Sequence, residues 1–126
     1  MFDDVRRKWV ALTPEETVRQ LLIQYFKQEQ HFPIARMSVE RQLTVHGMLH
    51  RYDLVLFDKN AAPFLLAEVK APTVRLDQDA LDQAARYNLG LRVPYLFITN
   101  GIQTYCCKID FENQSWEFLD VIPSIE

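Results

Sequence analysis

The sequence is poor in glycine and cysteine and has no long apolar run. Its 126 residues include three glycines and two cysteines, and no phosphate loop of the G-x-x-x-x-G-K type occurs in it. No apolar run approaches the roughly 18 residues that a membrane span requires, and the first ten residues lack the apolar core of a signal peptide. We therefore expect a cytoplasmic protein that has no membrane segment and uses no nucleotide cofactor.

Cysteine and histidine do not form a metal-binding motif in this sequence. Cys106 and Cys107 are adjacent, so on a strand their side chains point to opposite faces, which suits neither a disulfide nor a pair of metal ligands. We predict that both are reduced packing residues. His46 and His50 flank Gly47 in a turn region, and we interpret them as ordinary surface or turn residues rather than zinc ligands.

Positive charge is not in excess, but it is unevenly distributed along the chain. The formal net charge is −3. Residues 1–108 hold all 14 Lys and Arg, whereas residues 109–126 hold five of the 17 acidic residues and no base. The body of the chain can therefore carry a basic surface while the total stays negative. Such a balance usually marks only a solvated surface, so charge alone does not identify a partner.

Two segments carry the periodicity of amphipathic helices. The first, over residues 13–30, opens with Thr13 as the N-cap and with Glu16 at the position that completes a capping box. The second covers residues 76–91 and has Gly90 near its end as a stop signal. One face of the first helix is predicted to hold Val18, Leu21, Leu22 and Tyr25, and one face of the second to hold Leu76, Ala80, Gln83 and Tyr87.

Strand patterns fill the rest of the chain. Three of them lie between the helices, at residues 36–45, 51–58 and 64–70, and two or three follow the second helix. The later segments are 94–101, 102–109 and 115–122. The resulting order, α-β-β-β-α-β-β, predicts an α/β (α+β) fold in which helices cover the faces of a sheet. The length fits a single domain over residues 1–126.

The strand at residues 64–70 carries charge where a buried strand should end. Glu68 and Lys70 share one of its faces, and such groups are costly to bury unless they serve each other or an ion. An antiparallel connection brings Asp53, from the preceding apolar strand, beside Glu68. Two clustered carboxylates suit Mg²⁺ or Mn²⁺, and a lysine beside them can position a nucleophilic water. This pattern predicts a site for phosphodiester hydrolysis, and an ion pair at a strand edge is the alternative.

These residues resemble a known nuclease motif. Asp53 followed by the Glu68–Lys70 triplet resembles the PD-(D/E)XK motif, and Gln83 and Tyr87 resemble the QxxxY element of its RecB-like members. The segments LTPEETVRQ, RYDLVLFD, LLAEVKAP, DQAARYN and FITNG occur in the order found in the N-terminal nuclease domain of type I restriction enzyme R subunits, especially small stand-alone relatives. The resemblance implies a restriction-endonuclease-like central mixed sheet flanked by helices.

The resemblance also implies roles for the strand residues. Asp53 and Glu68 would bind Mg²⁺ or Mn²⁺, with the Val69 carbonyl as a further ligand. Lys70 would position or activate the attacking water. The literal proline of the motif name is replaced by a tyrosine before Asp53, a position that varies in the superfamily.

Further roles are implied for residues outside these two strands. Gln83 and Tyr87 would line the site and orient the nucleic acid or the lysine, although a core role for the tyrosine is the alternative. Glu16 matches an acidic residue that reaches the metal through water in many relatives, although its place in the capping box explains it equally well. Arg19 and Arg51 are candidates for contact with phosphate groups of the nucleic acid.

We therefore expect a metal-dependent nuclease that acts on DNA. The alternative is a catalytically weak or inactive nucleic-acid-binding or adaptor module on the same fold, which the acidic tail and the absence of a basic stretch longer than RRK favour. A third reading is a structural subunit in which the same residues form an ion-pair network.

A homodimer or a protein partner would explain how one small site makes two cuts. Unlike the larger family members, the chain carries no motor motif for ATP-driven translocation.

Overall fold

The computed structural model describes residues 1–119 and contains, within them, two α-helices and a six-stranded mixed sheet. The helices are α1 (Pro14–Gln28) and α2 (Gln78–Tyr87). The strands are β1 (Phe2–Asp3), β2 (Lys8–Trp9), β3 (Met37–Val45), β4 (Met48–Phe57), β5 (Pro63–Val69), β6 (Tyr95–Thr99), β7 (Thr104–Asp110) and β8 (Ser115–Leu119). Short 3₁₀ turns cover Ile34–Arg36 and Asn88–Gly90. No helix in the described part is long and apolar enough to cross a membrane.

The sheet follows the chain, with the strand order β3-β4-β5-β6-β7-β8. Every neighbouring pair is antiparallel except β5 and β6, which are parallel and are joined by the crossover through α2. This confirms the predicted fold class, and a third strand does follow α2. The end of that strand pattern, at residues 120–122, lies outside the described residues. A small β1–β2 hairpin precedes α1 and was not predicted, because strands of two residues show no periodicity.

The two helices pack on opposite faces of the sheet, each over its own hydrophobic cluster. Along β5, Leu65 and Ala67 belong to the cluster under α1, whereas Leu66 belongs to the cluster under α2. Cys106 and Cys107 divide in the same way, and both are free and buried, as predicted. Burial raises the pKa of each thiol to about 12. The chain therefore builds one sheet with two apolar faces, and each helix covers one of them.

Helix α1 has the predicted N-cap but turns a different face to the sheet. The predicted capping box does not form, because the Thr13 N–H donates to the Ala11 carbonyl and the Glu16 carboxylate binds arginine side chains instead. The Thr13 hydroxyl accepts a hydrogen bond from the Glu16 backbone N–H at 3.1 Å, which confirms the N-cap. Leu21, however, is 62% exposed, whereas Ile23 and Phe26 are fully buried, so the predicted face was partly wrong. Apolar residues occupy so many positions of this helix that periodicity fits two neighbouring faces, and docking on the sheet chooses between them.

Helix α2 is shorter than the predicted segment of residues 76–91. Asp77 caps it by accepting a hydrogen bond from the Ala80 N–H at 2.9 Å, and the last α-helical residue is Tyr87. Its buried face is formed by Leu81 and Ala85 rather than by the residues predicted to share a face. Those residues border the cleft described below, and Leu76, which precedes the helix, is also buried in the cluster under α2.

The β3–β4 hairpin changes the direction of its faces halfway along. Tyr52 and Leu54 have the same parity in β4, yet Tyr52 packs in the α2 cluster and Leu54 in the α1 cluster. The change falls at Asp53. The residue opposite it in β3 is Glu40, and the φ of Glu40, 59°, departs from strand geometry. Asp53 therefore lies at a bend of the sheet, where its side chain is buried in neither core.

Candidate active site

Asp53 and Glu68 lie where strands β4 and β5 separate. The two strands pair as far as Leu54 with Ala67, and the next opposing positions in the same register are Asp53 and Glu68. Beyond this point β4 continues paired with β3, and β5 ends at Val69. We call the point where β4 and β5 stop pairing the fork. Both predicted carboxylates lie at this fork.

Asp53 is fixed by one hydrogen bond to each carboxylate oxygen. Its Oδ2 accepts the Val69 N–H at 2.7 Å, and its Oδ1 accepts Nη2 of Arg19 at 3.0 Å. The side chain is half-buried. Because each carboxylate oxygen has two lone-pair directions, Asp53 keeps capacity for another cationic partner while these bonds hold its orientation.

Glu68 and Lys70 line a cleft of about 480 Å³ between β5 and α2. Burial raises the pKa of Glu68 above its ordinary value, the positive charges of Lys70 and His50 oppose this, and the negative charge of Asp53 adds to it. Lys70 follows β5 directly: its backbone N–H donates to the Thr99 carbonyl at 2.8 Å, and its side chain is exposed. The backbone bond anchors the base of this side chain at the cleft.

His50 belongs to this cleft, which contradicts its interpretation as an ordinary turn residue. Its Nε2 lies 3.6 Å from Oε1 of Glu68. Its ring packs against those of Tyr52 and Tyr87, with centroids 4.5 and 5.3 Å apart. The signal in the sequence was the shared parity of His50 and Tyr52 on one strand. His46 is exposed, with its Nε2 3.0 Å from the Tyr87 carbonyl oxygen.

Gln83 and Tyr87 border the same cleft from helix α2. They lie one helical turn apart, with Gln83 exposed and Tyr87 half-buried against His50. This position, facing Lys70 and Glu68 across the cleft, is compatible with the orienting role that the family resemblance implies. That role itself stays a prediction.

Glu16 is buried at the centre of an ion-pair network between the amino-terminal segment and the sheet. Its Oε1 accepts Nη2 of Arg6 at 2.5 Å and Nη1 of Arg19 at 3.1 Å. Arg19 in turn holds Asp53, so Glu16 is connected to the candidate site through this guanidinium. Asp3 completes the network through Arg6 Nε at 2.5 Å. The sequence pointed to Glu16 but not to its ion pairs with Arg6, ten residues earlier, and with Arg19, three residues later on the same helix.

The two arginines proposed for phosphate contact occupy different environments. Arg19 is buried, and its two terminal nitrogens bind the carboxylates of Glu16 and Asp53, so in this structure it orients Asp53 rather than facing a phosphate. Arg51 is exposed on β4, and its contact with phosphate stays a prediction. Glu40, which sequence reasoning passed over, has Oε1 3.6 Å from Nη1 of Arg19.

The donor set at the fork fits a hard divalent cation. Asp53, Glu68 and the Val69 carbonyl offer oxygen ligands, and Mg²⁺ is commonly held by one or two carboxylates while its other ligands are water or phosphate oxygens. Burial is the main cause of the raised pKa of Glu68, and repulsion from Asp53 adds to it; a cation between the two carboxylates would relieve that repulsion. Within residues 1–119 no group of three or more His, Cys, Asp or Glu side chains is arranged to hold a metal, so the protein alone would not complete the coordination.

The family of the chain follows from a comparison with protein-family models. The model described as type I restriction enzyme R protein N terminus (HSDR_N) matches residues 14–123. The match includes both helices, the fork of β4 and β5 and the cleft, and the β1–β2 hairpin precedes it. A comparison with curated proteins found no match. Because the family match covers most of the sequence and the structure has the expected mixed sheet with flanking helices, the chain belongs to the family of type I restriction enzyme R protein N-terminal domains.

Proposed function

We propose that this domain is a metal-dependent nuclease that hydrolyses phosphodiester bonds of DNA. The observation that carries the proposal is the convergence of Asp53, Glu68 and Lys70 at the fork of β4 and β5. Membership of a restriction-enzyme family supports DNA as the substrate. The cleft gives a phosphate group access to Glu68 and Lys70, and Asp53 lies opposite Glu68 where the two strands separate.

Asp53, Glu68 and the Val69 carbonyl would hold Mg²⁺ or Mn²⁺. When bound, such an ion neutralises developing negative charge and lowers the pKa of bound water. The protein's part is to keep the ligands in place: Arg19 and the Val69 N–H fix both oxygens of Asp53. Glu68 is held in a partly buried wall of the cleft beside His50.

Lys70 would act on the water and on the scissile phosphate. Its ammonium can hydrogen-bond the attacking water and stabilise the charge that develops on the non-bridging phosphate oxygens as the bond from phosphorus to the leaving oxygen breaks. Gln83 and Tyr87, across the cleft, would limit the positions that the lysine and the nucleic acid adopt. Arg51, exposed on β4, would contact a neighbouring phosphate.

The test is cleavage of supercoiled plasmid, linear duplex, single-stranded and branched DNA in Mg²⁺ or Mn²⁺. We expect Lys70→Ala to lower the cleavage rate by about 100-fold or more, because a preorganised charged donor contributes on this order. Lys59→Ala is the matched control, since Lys59 is exposed in the β4–β5 turn, and it should cut like the wild type. Chelation of the metal should stop cleavage by the wild type and by Lys59→Ala. Equal rates for the Lys70 and Lys59 variants would contradict the proposal.

The second candidate is a binding or adaptor module with little or no catalysis. The ion pair between Arg19 and Asp53 favours it, because the guanidinium already supplies a positive charge to this carboxylate. DNA binding that is unaffected by Lys70→Ala, with no cleavage on any substrate, would select this candidate. A homodimer or a protein partner that completes the site is a further part of the proposal, and the mass of the protein in solution, with and without DNA, tests it.

A further inference from the structure

The β1–β2 hairpin exposes an aromatic pair to solvent. The Phe2 and Trp9 rings pack edge to face, with centroids 5.5 Å apart and planes at 76°. Trp9 is 77% exposed and Phe2 is 39% exposed. Exposing this much aromatic surface costs hydrophobic free energy, and most of the Trp9 side chain is open to contact with a flat ligand. This pair lies outside the region that matches the family model.

The charges around this pair are positive. Asp3 is buried and paired with Arg6, and Asp4 is paired with a lysine of α1 at 3.2 Å, so both acids of the hairpin are neutralised internally. Arg7 and Lys8 are exposed, and neither has an ion-pair partner among residues 1–119. Two available cations therefore lie beside the aromatic pair along the chain: Lys8 directly precedes Trp9 in β2, and Arg7 is in the turn of the hairpin.

The hairpin is tied to the candidate active site by ion pairs. Arg6, in the turn of the hairpin, binds Glu16 at 2.5 Å. Glu16 binds Arg19, which binds Asp53. This chain of contacts connects the turn of the hairpin to Asp53 at the fork, so we expect a strand of nucleic acid bound at the hairpin to extend toward the candidate site.

We propose that the Phe2–Trp9 hairpin is a stacking surface for single-stranded DNA, so that the substrate class of the site is DNA with an unpaired strand. The substrate assignment rests on the proposed nuclease function, whereas the binding surface rests on the hairpin alone. Unpaired bases stack on exposed aromatic rings, and nearby Arg and Lys side chains bind the phosphates of the same strand. Within a duplex the faces of the bases are covered by their neighbours, so Trp9 would have no base to stack on.

The test measures binding of a fluorescent oligothymidine strand and of a blunt-ended duplex in EDTA, where no metal-dependent cleavage occurs. We expect Trp9→Ala to weaken single-strand binding about tenfold, since stacking on one aromatic side chain has an effect of this order, and to leave duplex binding unchanged. Trp9→Phe should retain most of the affinity. Ile102→Ala is the matched control, because Ile102 is also 77% exposed but lies between β6 and β7. In a Trp116→Phe background, the strand should quench the fluorescence of Trp9.

Two results would overturn this inference: equal single-strand affinity of the wild type and Trp9→Ala, or equal losses for single strand and duplex. The outcome is separable from that of the nuclease proposal. Trp9-dependent binding in EDTA without any cleavage in Mg²⁺ would contradict the nuclease proposal and support the stacking surface. Cleavage that requires Lys70 but does not depend on Trp9 for any substrate would support the nuclease proposal and contradict the stacking surface.

Discussion

Among the individual residues, Arg19 helps to hold the Asp53 carboxylate in its orientation. Its guanidinium contacts Glu16 on one side and Asp53 on the other, and its Nε is buried without a hydrogen-bond partner among the described residues. Burying such a network costs desolvation free energy, so the network is weak evidence for stability. Its clearer consequence is orientation: Asp53 cannot turn away from the fork while Arg19 and the Val69 N–H hold its two oxygens.

Asp3 gives this network a pH dependence. Burial alone would raise the pKa of Asp3, but hydrogen bonds from Arg6 and Val5 and the charge of Arg6 hold it below its ordinary value of 3.8. A carboxyl whose pKa is lowered by folding stabilises the folded state fully above its unfolded pKa and loses that contribution as the pH falls through the folded pKa.

We predict that Asp3→Asn lowers the free energy of unfolding by about 1–3 kcal/mol at pH 7, because Arg6 and two backbone N–H groups lose a charged acceptor. The difference from the wild type should shrink as the pH falls below 3.8. Urea denaturation at a series of pH values measures this. Asp4→Asn is the control, since its pair with Lys27 is partly exposed and should contribute less than about 1 kcal/mol. A gap between wild type and Asp3→Asn that does not change with pH would contradict the explanation.

Among the secondary-structure elements, the parallel pair of β5 and β6 determines which helix residues lie opposite the candidate site. Parallel neighbours need a crossover, and here the crossover is α2. The chain leaves β5 just after Glu68 and returns over the sheet through α2, so the helix residues Gln83 and Tyr87 come to border the cleft that holds Lys70. The crossover thus explains why an i, i+4 pair on a helix shares a cleft with a strand end.

Helix α1 depends on its amino-terminal cap. Thr13→Ala removes the side-chain acceptor of the Glu16 N–H, and we expect a loss of about 1 kcal/mol in the free energy of unfolding. Thermal or urea denaturation measures the loss. Thr73→Ala, at an exposed loop position, is the matched control and should change stability by less than about 0.5 kcal/mol. If the two variants lose the same amount, the cap is not what stabilises the start of this helix.

The whole molecule should respond to divalent cations through the fork. Ligands that bind only the folded state raise its stability, by about 1.4 kcal/mol at ten times Kd, which for a domain of this size raises Tm by about 5 °C. We predict such a shift with Mg²⁺ or Mn²⁺ for the wild type and for Glu117→Gln, an exposed control on β8, measured at constant ionic strength.

Glu68→Gln should lose this Tm shift because it removes a charged ligand. Without metal its Tm should not fall below that of the wild type, since burial disfavours the charged carboxylate of Glu68. An equal metal-induced shift in wild type and Glu68→Gln would exclude Glu68 as a ligand.

The sequence alone determined the features that depend on neighbours within a few residues. The Thr13 cap, the strand alternation that separates Cys106 from Cys107, and the charged end of β5 all follow from local periodicity and local hydrogen bonds. Together with the motif order, these features determined the fold class and the family, and the antiparallel β4–β5 connection placed Asp53 opposite Glu68.

Tertiary structure alone decided the features that join distant segments. Arg19 and Asp53 are 34 residues apart in sequence, and His50 reaches Glu68 across the gap between two strands. It also decided which face of α1 is buried, which left Leu21 exposed, and it linked the turn of the β1–β2 hairpin to the fork through ion pairs. A local pattern records whether a residue suits burial or solvent. Which charged group it meets is set by packing between elements, because an ion pair depends on distance in space and not on distance along the chain.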